Sequence, residues 1–299
     1  MRSAYNRTTA MGGKYARPGT TTRPLLPQKR ARIGGLDVLR GLCVLLMVLD
    51  HAAFDIMWLP YFCSNFYFVP PNALSRLSEW VSVSYWDASW RTAIRLPVIA
   101  LFFIISGICT SFSKSNGMRG LKLLLASLAL SFATFAADDM FDAGLGILFG
   151  VLHCFTVAVF LYVLLEFLIK DKSHYACLGF GFLLIVWGIL IDFYAIPHTE
   201  VLYESELSFT NILRIILGFA YYGGDCFGII PYAGFFLVGV YGGKALYGNR
   251  KSAYLPLFNT KPFAPVRFIG RKALWAYLLH QPIVLGIVAL IAHGFGYAF

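Results

Sequence analysis

Charged residues are scarce in this 299-residue chain, at 13% of the sequence, whereas 58% of the residues are hydrophobic. The mean hydropathy is correspondingly high, at +0.67. A soluble globular domain carries about 25% charged residues. The composition therefore excludes a soluble globular protein and predicts a polytopic membrane protein.

Metal-ligand spacings are also missing. The chain has no C-x-x-C, H-x-x-x-H or E-x-x-H sequence, and its six cysteines are scattered, so we expect no metal site. Cys63 and Cys226 flank apolar segments on the same predicted side of the membrane, which leaves a disulfide between them open. The remaining cysteines fall inside apolar segments and are expected to pack as small core residues: Cys43, Cys109, Cys154 and Cys177.

Acidic residues are absent from residues 1–32, which contain eight Lys or Arg residues. We predict that 1–32 is a disordered cytoplasmic tail that contacts anionic membrane lipid, and that 33–299 is one transmembrane domain. No cleavable signal peptide is expected, because the first apolar run carries Arg40 and lacks a small-residue cleavage site. The net charge of +10 lies mainly in the tail and in loops on one side of the membrane, so it does not indicate a nucleic-acid partner.

Seven apolar segments have the length of about 20 residues that a bilayer core requires, so we predict an all-α fold of about seven transmembrane helices. Placing the N-terminus inside puts twenty of the 25 Lys and Arg residues on the cytoplasmic side, in agreement with the positive-inside rule. The C-terminus is then outside, and the expected location is the inner membrane of a bacterium. Segment 208–222 is too short to span comfortably and is predicted to be an interfacial or re-entrant helix. The seven segments are 36–59, 93–113, 121–137, 144–169, 175–195, 226–247 and 273–296.

The first apolar segment carries the ionisable residues Asp37, Arg40, His51 and Asp55. At about 100° and 1.5 Å per residue, Arg40 and His51 share one helix face about 16 Å apart, with Arg40 in the inner half and His51 in the outer half. Ionisable groups at membrane depth mark a functional site by default, and an Asp37–Arg40 packing ion pair is the alternative. Asp50 points about 100° away from His51 and is expected to contact another helix. Asp55, one turn beyond His51, could orient the imidazole by a hydrogen bond.

Two functions suit this order of groups. Arg40 can hold a phosphate through its planar guanidinium, and His51 can act as a general base near neutral pH. These properties fit a phosphate-bearing donor that enters from inside and an acceptor that waits outside. The same order also suits the proton relay of a transporter or permease, so the residues alone leave both functions open.

Five segments, in order along the chain, carry the signature of one family. They are RIGGLDVLRGLCVLLMVLDHAAFD at 32–55, LFFIISGICTSFSK at 101–114, FGVLHCF at 149–155, GDCFGIIPYAGFFLVGVYGG at 224–243 and GRKALWAYLLHQP at 270–282. Together they resemble the catalytic domain family of heparan-α-glucosaminide N-acetyltransferase. The Arg-x10-His spacing is also similar to that of the more distant acyltransferase-three family. Tyr232 and Ala273 stand where the first family commonly has Trp and Ser.

The resemblance implies transfer of an acyl group, usually acetyl, from cytoplasmic acyl-CoA to a hydroxyl or amine of a sugar or glycan. His51 would be the base or a transient acyl carrier. The acceptor, the acyl length and homo-oligomerisation stay open, and His153 is either an acceptor-binding or a packing residue. The predicted site residues are His51 and Asp55 for catalysis, Asp37, Arg40, His280 and Gln281 for the donor, and His153 for the acceptor.

Overall fold

The computed structural model describes residues 33–113, 115–141, 144–193, 200–223, 225–247, 258 and 260–299. The predicted tail, 1–32, lies outside these residues. A π-helical turn, Val81–Trp86, joins α3 to α4, and two short strands are β1 (Glu200–Val201) and β2 (Ala220–Tyr221). The α-helices in this part of the chain are α1 (Gly34–Met57), α2 (Leu59–Phe62), α3 (Ala73–Trp80), α4 (Ser89–Ser111), α5 (Asn116–Phe141), α6 (Val151–Ile169), α7 (Ser173–Phe193), α8 (Phe209–Leu217), α9 (Ile229–Tyr247), α10 (Ala264–Arg271) and α11 (Ala273–Gly294).

The described residues form an all-α integral membrane protein, apart from the two short strands. Five helical stretches are long and apolar enough to cross a membrane, and one of them, 151–190, covers both α6 and α7. Helix α1 has 24 residues, but its charged side chains keep it out of that set. Each predicted span overlaps one long helix, while a count of seven crossings stays a prediction. The long helices are α1, α4, α5, α6, α7, α9 and α11.

The short segment after β1 does not form a spanning helix. Helix α8 has nine residues and is capped at its C-terminus by Gly218, which adopts a left-handed conformation with φ of 97°. Nine residues rise only about 13 Å, less than half the thickness of a bilayer core. Strand β1 pairs in parallel with β2, Glu200 opposite Ala220, so both ends of this segment meet. Helix α8 is therefore too short to span a bilayer, and the interfacial or re-entrant placement of 208–222 stays a prediction.

Close helix packing at glycines fixes the position of α9. A Cβ atom at Gly239 would overlap the carbonyl oxygen of Ile104 on α4, and one at Gly107 would overlap that of Phe236 on α9. Small residues let membrane helices approach closely enough for extensive van der Waals contact. Helix α9 is thereby held against α4, with α7 and α6 on its other sides.

A second close contact, between α10 and α1, determines where α11 begins beside α1. Helix α10 packs along the first half of α1, where a Cβ atom at Gly270 would overlap the carbonyl oxygen of Asp37. A Cβ atom at Gly41 would likewise overlap the carbonyl oxygen of Val266 on α10. Helix α11 therefore begins next to Arg40 and rises along α1, so that His280 reaches the level of His51.

The last residues of the chain pack on the loop after α2. The Ser64 and Ala298 main chains are hydrogen bonded, and the amide of Asn72 donates to the Tyr297 hydroxyl at 2.9 Å. Phe66 stacks on Tyr297 with ring centroids 5.1 Å apart. Loop 63–72 and the chain end therefore lie on one side, as the sequence predicts. That this side is the outer one stays a prediction.

The open question of a disulfide is answered by the positions of the cysteines. Cys63 and Cys226 are both free thiols. Cys63 packs in the cluster around Tyr297, whereas Cys226 packs against the main core around α6 and α9. They belong to different parts of the fold, so the Cys63–Cys226 disulfide is absent from the structure.

Candidate functional site

Two adjacent cavities follow the face of α1 that carries Arg40 and His51. The larger, which we call the arginine cavity, has a volume of about 210 Å³ and is lined by Arg40, Arg119 and Arg271. The smaller, the histidine cavity, has a volume of about 70 Å³ and is lined by His51 and Asp225. Three side chains line both cavities and form the wall between them: Phe102, Val151 and Tyr277.

Positive charge exceeds negative charge in the arginine cavity. Arg40 donates to the Gly270 carbonyl at 3.4 Å and to the Cys109 sulfur, and its guanidinium lies 3.7 Å from Asp37. Asp37 also accepts from Nε of Arg271 at 3.4 Å. The guanidinium of Arg119 makes no ion pair with any residue that the structure describes. Three guanidinium groups thus line the cavity, and the carboxylate of Asp37 pairs with only two of them. The cavity therefore favours an anionic ligand.

The two predicted histidines of the site come together. The Nδ1 atom of His51 is hydrogen bonded to the Met47 carbonyl at 2.9 Å, so this nitrogen carries the proton in the neutral ring. His280 makes the same kind of bond to the carbonyl of Tyr277, at 2.5 Å. The rings meet edge to face with centroids 4.7 Å apart. Nε2 of His51 is therefore free to accept a proton, and Nε2 of His280 is buried without a partner.

Asp55 differs from its expected role. Its carboxylate is almost fully buried, at 1% exposed, and its Oδ1 accepts from the Gln281 amide at 2.8 Å. Nδ1 of His51 instead donates its hydrogen bond to the Met47 carbonyl. The prediction that Asp55 orients His51 by a hydrogen bond is thus corrected: a backbone carbonyl orients the ring, and Asp55 joins α1 to α11. The sequence could not show this, because the register of α11 on α1 is set by long-range packing.

His153 lies outside both cavities, and its two ring nitrogens are occupied. Nδ1 accepts from the Gly150 amide at 3.2 Å, and Nε2 lies 3.2 Å from the Ser131 hydroxyl. The ring therefore caps the start of α6 and ties it to α5. This geometry matches the packing and hydrogen-bonding alternative for His153 rather than acceptor binding.

Asp50 contacts another helix, as predicted. Its two carboxylate oxygens accept from Nε and a terminal nitrogen of Arg91 on α4, at 2.7 and 2.8 Å. Tyr85 adds a third bond at 2.9 Å, and the Arg91 guanidinium lies 3.8 Å from the ring centroid of Trp86. This cluster, which we call the Asp50 clamp, fixes the π-helical turn beside the His51 end of α1.

Sequence reasoning missed Asp225 and Tyr277. The Tyr277 hydroxyl donates to Oδ2 of Asp225 at 2.7 Å, and both side chains line the histidine cavity. Desolvation raises the pKa of the Asp225 carboxyl above its usual range. Two signals were available. Asp225 lies at the start of the family segment 224–243, and Tyr277 lies three residues before His280, on the same helix face. Neither signal reveals that a loop separated by about 170 residues returns to His51.

The family model described as heparan-alpha-glucosaminide N-acetyltransferase, catalytic, matches residues 32–282. No curated protein and no solved structure matches the chain. The matched range contains every residue that lines the two cavities.

Proposed function

Since the chain belongs to the heparan-alpha-glucosaminide N-acetyltransferase catalytic family, we propose that it transfers an acetyl group from cytoplasmic acetyl-CoA to an amine or hydroxyl of a sugar on the outer side. The observation that carries this proposal is the order of the two cavities. A cavity rich in guanidinium groups adjoins one that holds a histidine base. The donor and the acceptor would occupy one cavity each and react near the wall between them.

The arginine cavity suits the phosphates of CoA. Guanidinium groups bind phosphate oxygens in pairs of charge-assisted hydrogen bonds, and Arg119 is available without breaking an ion pair. Arg40 and Arg271 are held by Asp37, which keeps their side chains in place between reaction cycles. The rise of α1 puts Arg40 about 16 Å from His51, so the extended pantetheine arm of CoA would carry the thioester towards the base.

The histidine cavity suits the chemical step. Nε2 of His51 takes a proton from the acceptor while the acceptor oxygen or nitrogen bonds to the thioester carbonyl carbon. The carbon–sulfur bond breaks, and the proton passes from the imidazolium to the departing sulfur. Enclosing both reactants supplies their orientation. His280 and Gln281 remain proposed donor-side residues, now at the thioester end, because His280 contacts the His51 ring.

The test uses the purified full-length protein with radiolabelled acetyl-CoA as donor and glucosamine as probe acceptor. Wild-type protein should bind acetyl-CoA and release acetylated glucosamine. His51→Ala should abolish transfer and keep acetyl-CoA binding near normal. The matched control is His293→Ala, since His293 is an exposed residue at the end of α11. A His51→Ala protein that turns over like the control would remove His51 from catalysis.

The same preparation distinguishes the transporter alternative. In proteoliposomes, a proton-coupled permease accumulates labelled glucosamine without acetyl-CoA and in response to a pH gradient. An acetyltransferase releases product only when acetyl-CoA is present on the donor side. Uptake without acetyl-CoA, together with no acetylation, would contradict the proposed function.

A further inference from the structure

The histidine cavity contains a second acidic group that faces the proposed base. Apart from His51, the charged or strongly hydrogen-bonding residues in its described lining are Asp225 and Tyr277. The rest of that lining consists of a cysteine, a methionine and apolar side chains. A polar ligand in such a cavity must satisfy its hydrogen bonds with these few groups, because unpaired polar groups are costly in apolar surroundings.

The polar groups in this cavity all present acceptors. His51 presents Nε2 as an acceptor, since its Nδ1 proton is engaged with Met47. The Tyr277 hydroxyl already donates its hydrogen bond to Oδ2 of Asp225, so only its oxygen lone pairs face a ligand. Within the residues that the structure describes, Oδ1 of Asp225 receives no hydrogen bond. A ligand that fits the cavity therefore needs two donor hydrogens, one for His51 and one for Asp225.

Local structure holds the Asp225 carboxylate in this position. The Phe227 amide donates to the Phe149 carbonyl at 3.0 Å, which fixes the loop before α9 against the start of α6. A Cβ atom at Gly150 would lie 3.0 Å from Oδ2 of Asp225, so glycine leaves space for the carboxylate there. Tyr277, 8% exposed, supplies the hydrogen bond from α11. Three elements thus converge on one side chain.

We propose that Asp225, held by Tyr277, binds the acceptor of the reaction and presents it to His51. The inference rests on the proposed function. Oδ1 of Asp225 accepts a hydrogen bond from a second N–H or O–H group of the acceptor, either on the same amine or on a hydroxyl beside the nucleophile. Meanwhile Nε2 of His51 removes the proton of the nucleophile. Asp225 changes no bond itself. The hydrogen bond from Tyr277 and the positive charge that forms on His51 both favour its ionised form, and that carboxylate in turn stabilises the imidazolium. Acceptors with two neighbouring donor hydrogens are preferred over those with one.

The test compares the variants Asp225→Asn, Asp225→Ala and Tyr277→Phe with wild-type protein. The probes are glucosamine, whose amine lies beside hydroxyls, and cyclohexanol, which has one donor hydrogen. A hydrogen bond to a charged group in an apolar site corresponds to roughly a 10- to 100-fold effect on the rate. We expect kcat/KM for glucosamine to fall by about that factor in Asp225→Ala, less in Asp225→Asn and least in Tyr277→Phe. The dissociation constant of acetyl-CoA should change less than about threefold.

A selectivity readout separates acceptor binding from a merely structural role. Wild-type protein should favour glucosamine over cyclohexanol, and this ratio should collapse in Asp225→Ala, because only the two-donor acceptor loses a partner. The matched control is Asp139→Asn, since Asp139 is exposed near the end of α5. An Asp225→Ala protein with the selectivity of the control overturns the inference, as does one whose only defect is in acetyl-CoA binding. If wild-type protein acetylates neither probe, the proposed function fails and the inference falls with it.

Discussion

At Arg40 the charge of the side chain and its shape act together. The guanidinium reaches the Gly270 carbonyl and the Cys109 sulfur while it stays within 3.7 Å of Asp37. A lysine ammonium keeps the charge but loses the planar pair of donors. The residue therefore offers a direct test of whether the arginine cavity binds phosphate.

Replacing Arg40 should weaken donor binding. We expect Arg40→Ala to raise the dissociation constant of acetyl-CoA by roughly 10- to 100-fold, because a charge-assisted hydrogen bond is lost. Arg40→Lys should keep part of the affinity for acetyl-CoA that Arg40→Ala loses. Equilibrium binding of labelled acetyl-CoA measures both, with Lys172→Ala as the control for an exposed cation. Unchanged affinity in Arg40→Ala would make Arg40 a packing residue.

Arg119 should behave differently, because it has no ion-pair partner among the described residues. Removing it in Arg119→Ala takes one of three like charges out of the arginine cavity, so the ligand-free protein should unfold at the same temperature or higher. The stabilisation that acetyl-CoA adds should shrink, because a ligand stabilises only in proportion to its binding. Thermal unfolding with and without acetyl-CoA checks this. A full ligand-induced shift in Arg119→Ala would exclude a role in donor binding.

Among the connections between elements, the Asp50 clamp joins α1 to α4 through a two-point ion pair between Asp50 and Arg91. Arg91→Ala would leave Asp50 without its paired cation, and breaking a mostly buried pair costs about 3 kcal/mol. Thermal unfolding in detergent should therefore show a clear loss for Arg91→Ala and little change for Arg76→Ala, which removes an exposed arginine on α3. Equal unfolding temperatures for the two variants would show that the clamp contributes nothing to stability.

Helix α9 offers a matched pair of glycines. In Gly239→Ala the new Cβ atom meets the Ile104 carbonyl, whereas at Gly242 nothing lies within 4 Å. Overpacking typically costs about 1–3 kcal/mol, while alanine in a free helix position is favoured over glycine by up to about 1 kcal/mol. We expect Gly239→Ala to lower the unfolding temperature and Gly242→Ala to leave or raise it. The reverse order would contradict the close α4–α9 contact.

Elements were more predictable from the sequence than their contacts. Runs of apolar residues located the long helices, and the angle per residue correctly turned Asp50 away from His51. The register between α1 and α11 decided the partner of Asp55, and no local pattern encodes that register. Asp225 was missed for the same reason: its place beside Tyr277 depends on how the loop before α9 folds back, which is a property of the assembled core.

For the whole molecule, the distribution of Lys and Arg predicts the orientation in the membrane. Single cysteines introduced into a cysteine-free variant at Ser75, Ser205 and Ser115 test it. Ser75 and Ser205 belong to predicted outer segments, and Ser115 lies between α4 and α5 on the predicted inner side. The positive-inside bias leads us to expect labelling of the first two in intact cells, and of Ser115 only after permeabilisation. Labelling of Ser115 and Ser75 from the same side would require the topology to be redrawn.

The wall of Phe102, Val151 and Tyr277 has an electrical consequence. These three side chains border both the arginine cavity and the histidine cavity, so the two cavities meet at a mostly apolar surface. A cell that stores energy as an ion gradient is short-circuited by any water-filled passage across its insulating membrane. A donor and an acceptor that meet at such a mostly apolar surface would exchange a small neutral group with little water between them, and the bilayer would keep its resistance. The protein would thus modify molecules on the far side without discharging the gradient.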